Sequence, residues 1–187
     1  MLKSEDVDQF QSLRLRGLRE CPTAFASSYE EEAAESRELV SQRLSPGEGS
    51  AILGAFVDVA LVGMLGLQRE AMKKLAHKAY VWGMYVAPEH RNAGVAELLV
   101  RRALEHAREL GVRQVNLGVN TNNVAARKLY GKLGFATFGV EREFLFHDGK
   151  FHDECHMVCV LPNAPHVEHQ AFESLERLRH QDPPHAT

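Results

Sequence analysis

The chain has 187 residues, of which 44% are hydrophobic, and a formal net charge of -3. That length and hydrophobic content suffice for one domain with a sizeable core, but not for two. The slightly acidic balance provides no overall positive field, so we exclude a mainly electrostatic grip on nucleic acid and expect small molecules or proteins as partners.

Cysteine usage and hydropathy favour a cytoplasmic protein. The three cysteines, Cys21, Cys155 and Cys159, form no CxxC or zinc-type spacing, which is typical of reduced thiols. Cys155 and Cys159 lie in a nearly continuous apolar run, so we predict that they are small buried side chains. No apolar run approaches the ~20 residues that cross a bilayer, and the first residues lack the apolar stretch of a secretory signal. We therefore expect no membrane partner.

The first part of the chain predicts helices followed by a hairpin. Apolar residues recur at helical spacing over Ser4–Arg19, with Ser4 as the predicted N-cap. Serines followed by acids predict one or two further helices between residues 27 and 44. Two short apolar segments, 51–58 and 60–69, then predict a β-hairpin.

The remaining chain predicts alternating strands and helices, followed by a polar extension. The predicted elements are a strand at 80–86, a helix at 95–110, a strand at 112–119, a helix at 123–133, and two strands at 135–146 and 151–161. We predict a single domain over residues 1–161. Residues 162–187 are polar, and a short helix could form there over Gln170–Leu178.

The joint between the strand ending at Val86 and the following helix has an unusual composition. A helix start presents unpaired N–H groups and the positive end of the helix dipole, which together can bind phosphate. Gly94 has no side chain where the backbone would touch such a ligand, and Ala93 and Ala96 place only small side chains beside it. Arg91 adds a positive charge. A tight connection with no ligand explains the same glycine, so spacing alone does not decide between the two interpretations.

A second motif lies on the next helix, where Asn123, Ala126 and Tyr130 are predicted to share one face. Together, the two motifs resemble those of the GCN5-related N-acetyltransferases, the GNAT family. The acetyl-CoA loop of that family has the form Gln/Arg-x-x-Gly-x-Gly/Ala, and a later helix carries Asn-x-x-Ala-x-x-x-Tyr. In this chain, the first motif is Arg91–Ala96 and the second is Asn123–Tyr130, and the resemblance extends over roughly residues 51–161.

The resemblance implies an α/β fold with a mixed, mostly antiparallel twisted sheet that is flanked by helices. The sheet would be splayed at a bulge in the strand that ends at Val86, and acetyl-CoA would bind in the splay as co-substrate. The first strand of the family would be short or missing, because only two or three residues precede the first helix. The implied cofactor-binding residues are Met84, Tyr85, Val86, Arg91, Asn92, Ala93, Gly94, Val95, Ala96, Asn123, Ala126 and Tyr130.

The resemblance also implies a reaction, in which a primary amine attacks the thioester directly. The backbone N–H of Val86 or Tyr85 would face the thioester carbonyl, and Tyr130 would protonate the departing CoA thiolate. For Tyr130, the structural alternative is a ring packed in the core. A carboxylate would remove the amine proton, and the candidates are Glu154, Glu30, Glu31 and Glu32.

The competing hypothesis is a module that binds or senses acyl-CoA without turnover. The amine acceptor stays open between amino acids, polyamines, antibiotics, toxin-like amines and protein N-termini. A homodimer is a further expectation from the resemblance, because similar folds often dimerise.

The sequence contains three further features for which structural explanations are favoured. His152, Glu154 and His156 alternate onto one strand face, but the two histidines would lie about 13 Å apart at ~3.3 Å per residue, too far to share a metal ion. We therefore predict no metal site. Trp82 is predicted to lie in the core or in the wall of the acceptor cleft. A basic cluster, Lys73, Lys74, His77 and Lys78, is interpreted as a solvated loop in preference to a site for an acidic partner.

Overall fold

The computed structural model describes residues 1–45, 47 and 49–162. The predicted helix over Gln170–Leu178 lies outside the described residues. The helices are α1 (Val7–Glu20), α2 (Tyr29–Ala33), α3 (Arg37–Leu44), α4 (Val95–Glu109) and α5 (Val124–Lys132). The strands are β1 (Ser50–Val57), β2 (Ala60–Arg69), β3 (Lys78–Val86), β4 (Gln114–Asn120), β5 (Ala136–His147) and β6 (Lys150–Val160).

The helix starts follow local capping rules with one exception. Ser28 caps α2 in a capping box with Glu31, and the Ser36 side chain accepts from the Leu39 N–H at the start of α3. The predicted cap Ser4 is wrong. It lies in a short 3-10 turn that precedes α1, where the Asp6 carboxylate accepts the Lys3 N–H at 2.8 Å.

The six strands form one mixed sheet in the order β1-β2-β3-β4-β6-β5. All neighbouring strands are antiparallel except β3 and β4, which are parallel. No strand precedes α1 in the described part of the chain, and only the Leu2 N–H, which donates to the Ile52 carbonyl at 2.8 Å, extends the ladder beyond β1. The predicted fold with a missing first strand is confirmed.

The sheet opens between its two parallel strands. Lys78–Val81 of β3 pair with 114–117 of β4, and the pairing stops there. Beyond this point, the β2–β3 register shifts between Trp82 and Tyr85, and Gly83 takes a φ of 64°, so the bulge turns the end of β3 away from β4. The predicted splay therefore lies between the end of β3 and the segment from Gly118 to Asn120.

Two apolar cores lie on opposite faces of the sheet. The larger core packs α4 and α5 against one face, where α4 contributes a stripe of buried residues at helical spacing: Leu99, Val100, Ala103, Leu104 and Ala107. The smaller core packs α1 and α3 against β1–β3 on the other face. On that second face, Tyr80 and the side chains of β4 and β6 are only half-buried. We call the part of this second face that α1 and α3 pack against the covered half. The part that carries Tyr80 and the side chains of β4 and β6 is the uncovered half.

Several side-chain predictions from the sequence can be compared with these cores. Cys155 and Cys159 are buried in the larger core, as predicted, and Trp82 packs against the smaller core. All three cysteines are free thiols. Among the described residues, no helix is both long and apolar enough to cross a membrane.

Candidate active site

The splay opens into a cleft of about 610 Å³ between the end of β3, the start of α4 and α5. Of the predicted cofactor-binding residues, all except Ala93 line this cleft. The other lining residues are Cys21, Ala24, Phe25, His90, Glu97, Ala125 and Leu129. The sequence motifs, which lie about thirty residues apart along the chain, thus come together at one opening.

The turn before α4 presents bare backbone to the cleft. Gly94 has a φ of 81° and Asn92 a φ of 60°, so two residues of this turn adopt the left-handed conformation. A Cβ added at Gly94 would meet no other atom within 4 Å, which means that no side chain plugs the turn. Helix α4 begins immediately afterwards at Val95, and its first N–H groups have no partner within the helix. This arrangement fits a diphosphate.

The last residues of β3 have backbone groups that point into the splay. The Ala87 N–H donates to the Val62 carbonyl at 2.9 Å, which makes these two residues a hydrogen-bonded antiparallel pair. Because such pairs alternate along a ladder, Tyr85 bonds to β2 whereas Val86 turns its N–H and C=O away from β2. The Arg91 Nε donates to this Val86 carbonyl at 2.9 Å. Of the two backbone N–H groups predicted to face a thioester, the geometry favours that of Val86.

Glu20, at the end of α1, connects the cofactor cleft to the helices. Its carboxylate accepts from the Tyr85 hydroxyl at 2.6 Å and from Arg16 at 2.8 Å, and it lies 3.6 Å from the Arg91 guanidinium. Burial and the neighbouring Glu20 raise the pKa of the Tyr85 hydroxyl. Arg16 also binds Glu89 through both oxygens. Glu20 could not be predicted from the sequence, because this acid lies 71 residues before Arg91 and in no motif.

Tyr130 lies both in the larger core and at the cleft. Its ring is 5% exposed and lies in the larger core, with its centroid 5.7 Å from that of Phe135. It also lines the cleft, and its hydroxyl has no hydrogen-bond partner among the described residues. Burial raises the pKa of the Tyr130 hydroxyl to about 12, so this phenol is protonated throughout the physiological range.

Asn123 has a structural role that the motif did not predict. Its side-chain oxygen accepts the Ala126 N–H at 3.1 Å and caps α5. Only the amide nitrogen of this side chain is therefore available for a ligand in the cleft.

The four candidate bases occupy very different environments. Glu31 belongs to the capping box of α2, and Glu30 is exposed. Glu32 is 4% exposed, and Arg14 binds both of its oxygens at 2.6–3.1 Å. Hydrogen bonds from Arg14 and Ser27 outweigh the effect of burial and lower the pKa of Glu32. Glu32 is thus held as a charged structural partner of Arg14.

Glu154 contrasts with Glu32, because among the described residues its nearest ion-pair partner is His156, at 4.0 Å, and not an arginine. Its carboxylate lies over Gly118 of β4, where an added Cβ would overlap it. Gly118 follows directly after Leu117, the last β4 residue that pairs with β3, so this carboxylate lies at the edge of the splay. Burial raises the pKa of Glu154, and burial together with the charge of Glu154 raises the pKa of Tyr80. The sequence did not indicate the role of Gly118, since a strand glycine is uninformative without its neighbours.

A second cleft of about 560 Å³ lies between the segment that joins α1 to α2 and the end of β5. Its walls include Arg19, Tyr29, Glu30, Phe146 and His147. Phe25 lines both clefts, so the two clefts are neighbours.

His156, from the set of residues that was predicted not to bind a metal, and the basic cluster both have ordinary structural surroundings. His156 binds Glu141, with Nε2 2.9 Å from Oε2, and within residues 1–45, 47 and 49–162 no group of three potential ligands could hold a metal ion. Lys73 and Lys74 lie in a short 3-10 turn that contains no buried residue, as expected of a solvated loop.

Comparison with known proteins identifies the family. Residues 15–135 match the model of the acetyltransferase (GNAT) family. The chain is 29% identical over 126 residues to the L-amino acid N-acetyltransferase AaaT of Escherichia coli K12, which covers 67% of this chain and 77% of that protein. It is 36% identical to a streptothricin acetyltransferase of Escherichia coli over 50% of this chain, but spans only 52% of that relative.

Solved structures show the same fold at lower identity. The ribosomal-protein-alanine N-acetyltransferase from Brucella melitensis superposes with a TM-score of 0.71 at 20% identity, covering 86% of this chain and 97% of that one. The structure of yncA from Salmonella typhimurium with its cofactor acetyl-CoA gives a TM-score of 0.72 at 16% identity, covering 86% and 91%. The chain belongs to the GNAT family of acetyltransferases, and the predicted family and enzyme class are confirmed.

Proposed function

We propose that this protein transfers an acetyl group from acetyl-CoA to a primary amine. The observation that carries the proposal is the cleft itself. It brings the open turn at Gly94, the outward N–H of Val86 and the protonated hydroxyl of Tyr130 to one side of the splayed sheet. The diphosphate would lie on the N–H groups at the start of α4, close to Arg91, and the amide nitrogen of Asn123 would bind the pantetheine arm.

The proposed chemistry is direct transfer. The amine nitrogen forms a bond to the thioester carbon while the carbon–sulfur bond breaks. The Val86 N–H stabilises the negative charge that develops on the carbonyl oxygen. Tyr130 donates its proton to the departing sulfur, and its high pKa ensures that this proton is present.

Glu154 is the proposed base for the amine proton. Burial raises the pKa of Glu154, so this carboxylate can accept a proton more readily than the ion-paired Glu32. The acceptor would enter through the second cleft and reach the splay past Phe25. A cytoplasmic location and a homodimer stay predictions within this proposal.

The test is thiol release from acetyl-CoA with a panel of L-amino acids, polyamines, aminoglycosides and short peptides with free N-termini. At least one amine should release thiol and gain the mass of one acetyl group. Tyr130→Phe should lower kcat by about 10²-fold, the lower limit for a general acid, while leaving the dissociation constant of acetyl-CoA within about twofold of wild type. Tight acetyl-CoA binding without thiol release across the panel would instead support a non-catalytic acyl-CoA-binding module.

A further inference from the structure

We propose that His156 and Glu141 form a proton exit path behind Glu154, in which His156 positions Glu154 and carries its proton to Glu141 at the surface. The inference rests on the proposed function, because it concerns the proton that leaves the amine. The observation that carries it is a line of three titratable side chains that runs from the splay to solvent on the uncovered half of the sheet.

The strand geometry places these three groups in a row. Glu154 and His156 lie two residues apart on β6, so they share one face of the sheet. Glu141 of β5 is the cross-strand partner of Glu154. His156 Nε2 lies 2.9 Å from Glu141 Oε2, and His156 Nδ1 lies 4.0 Å from Glu154 Oε1. The first distance is a hydrogen bond, and the second is one that a single water or a small rotation can bridge.

The exposure of the three side chains gives the path a direction. The exposed fraction rises from 14% for Glu154 to 27% for His156 and 54% for Glu141. A proton received at the splay therefore moves outward along the row toward water.

The surroundings of His156 fit a relay better than an ordinary surface ion pair. Two carboxylates directly opposite each other on a sheet repel, and His156 lies within 4.0 Å of both. Phe138 and Phe144 pack around the imidazole, with centroids 6.0 Å and 6.4 Å from it. The two ring nitrogens face the two acids, Nε2 toward Glu141 and Nδ1 toward Glu154.

The proton balance of the path is simple. Glu154 takes one proton from the amine nitrogen as the new carbon–nitrogen bond forms. His156 receives that proton at Nδ1 and releases the proton on Nε2 to Glu141, and proton exchange between the ring nitrogens and water then restores the starting tautomer. Glu141 exchanges it with water, and Glu154 returns to its charged form for the next turnover. No oxidant, reductant or further reactant is needed.

The first experiment reads the coupling without turnover. The carboxyl carbon of Glu154 is assigned by comparison with Glu154→Gln, and its titration is followed by NMR. Because the charge on His156 lowers the pKa of Glu154 and the charge on Glu141 raises it, His156→Gln should move the titration midpoint up and Glu141→Gln should move it down. His152→Gln, on the same face of β6, is the matched control and should leave it unchanged. A midpoint that His156→Gln does not move overturns the inference.

The second experiment reads the proton transfer. With the amine that gives the fastest thiol release, His156→Ala should lower kcat by about tenfold, less than the loss of a direct acid or base, with KM for acetyl-CoA unchanged. Added imidazole should restore part of kcat in His156→Ala but not in Glu154→Gln, and His152→Ala should behave as wild type. Loss of activity without rescue in a folded variant, as judged by thermal unfolding, contradicts the relay. Absence of thiol release by the wild type is a failure of the proposed function, and the NMR titration then decides the inference alone.

Discussion

The covered and uncovered halves of the same sheet face each bury one glutamate at least in part, and the pKa values of these two glutamates shift in opposite directions. In the covered half, Glu32 of α2 is bound by Arg14, Arg43 and Ser27, and its pKa is lowered. In the uncovered half, no arginine or lysine of the described residues pairs with Glu154, and burial raises its pKa. Burial acts on both in the same direction, so the difference comes from the partners.

The comparison distinguishes a carboxylate with a structural role, Glu32, from the carboxylate that we propose as the base, Glu154. Glu32 is fixed in its charged form and joins α1, α2 and α3 over the sheet through Arg14 and Arg43. Glu154 is held by the shape of the sheet, because its carboxylate occupies the space that Gly118 leaves free. A group that must take up a proton cannot be bound as tightly to cations as Glu32 is.

The largest expected effect tests the covered half. Arg14→Ala leaves Glu32 as a buried charge with one of its two arginines gone, and we expect a loss of about 3–5 kcal/mol in the free energy of unfolding. Arg16→Ala, two residues along the same helix but in exposed ion pairs, should cost much less. Urea unfolding of both variants measures the difference, and equal losses would show that the buried pair has no special role.

The next effect tests the uncovered half. Gly118→Ala should displace the Glu154 carboxylate, because the added Cβ would overlap it, and a misplaced base costs on the order of 10²-fold in kcat. The matched control is Gly139→Ala on strand β5, the other neighbour of β6, where a Cβ meets no atom within 4 Å. Steady-state thiol release compares the two variants, and similar kcat values would remove Glu154 from its proposed place.

A smaller effect is expected on cofactor affinity. Gly94→Val places a branched side chain on the open turn before α4, and we expect the dissociation constant of acetyl-CoA to rise about tenfold, equivalent to about 1.4 kcal/mol. Gly149→Val controls for backbone strain, since Gly149 also has a positive φ, of 73°, and free space around its Cβ. Calorimetric titration measures both. Unchanged affinity of Gly94→Val would place the diphosphate elsewhere.

The smallest effect concerns the pH dependence of stability. The lowered pKa of Glu32 means that its stabilisation is complete above the reference value of 4.5 and is lost as the pH falls through the lowered pKa. The raised pKa of Glu154 has the opposite sign: its favourable contribution is complete below 4.5 and is lost as the pH rises through the raised pKa. At pH 7, Glu154→Gln should therefore slightly stabilise the protein, whereas Glu32→Gln should destabilise it. Urea midpoints at pH 4 and pH 7 test both signs.

The residues of the proposed cofactor cleft could be predicted from the sequence better than the contacts of Glu32 and Glu154, for a physical reason. The turn at Gly94 and the helix with Tyr130 are continuous segments whose backbone geometry is encoded locally, so their motifs can be recognised. The Arg14–Glu32 pair joins residues 18 positions apart with no periodic pattern. The contact between Gly118 and Glu154 depends on the β4–β6 register, and Glu20 acts on residues of a distant strand. Ser4 failed as a cap because the first turn is a 3-10 turn that precedes α1.

Phe25 lies in the walls of both clefts. Its ring is 7% exposed, lines both clefts and carries the Arg14 guanidinium 4.4 Å from its centroid. A fluorine atom placed on this ring would sense the occupancy of either cleft and the state of the buried charge pair through a single resonance. One labelled position can therefore report the order in which the two substrates arrive, even for an amine that is never acetylated.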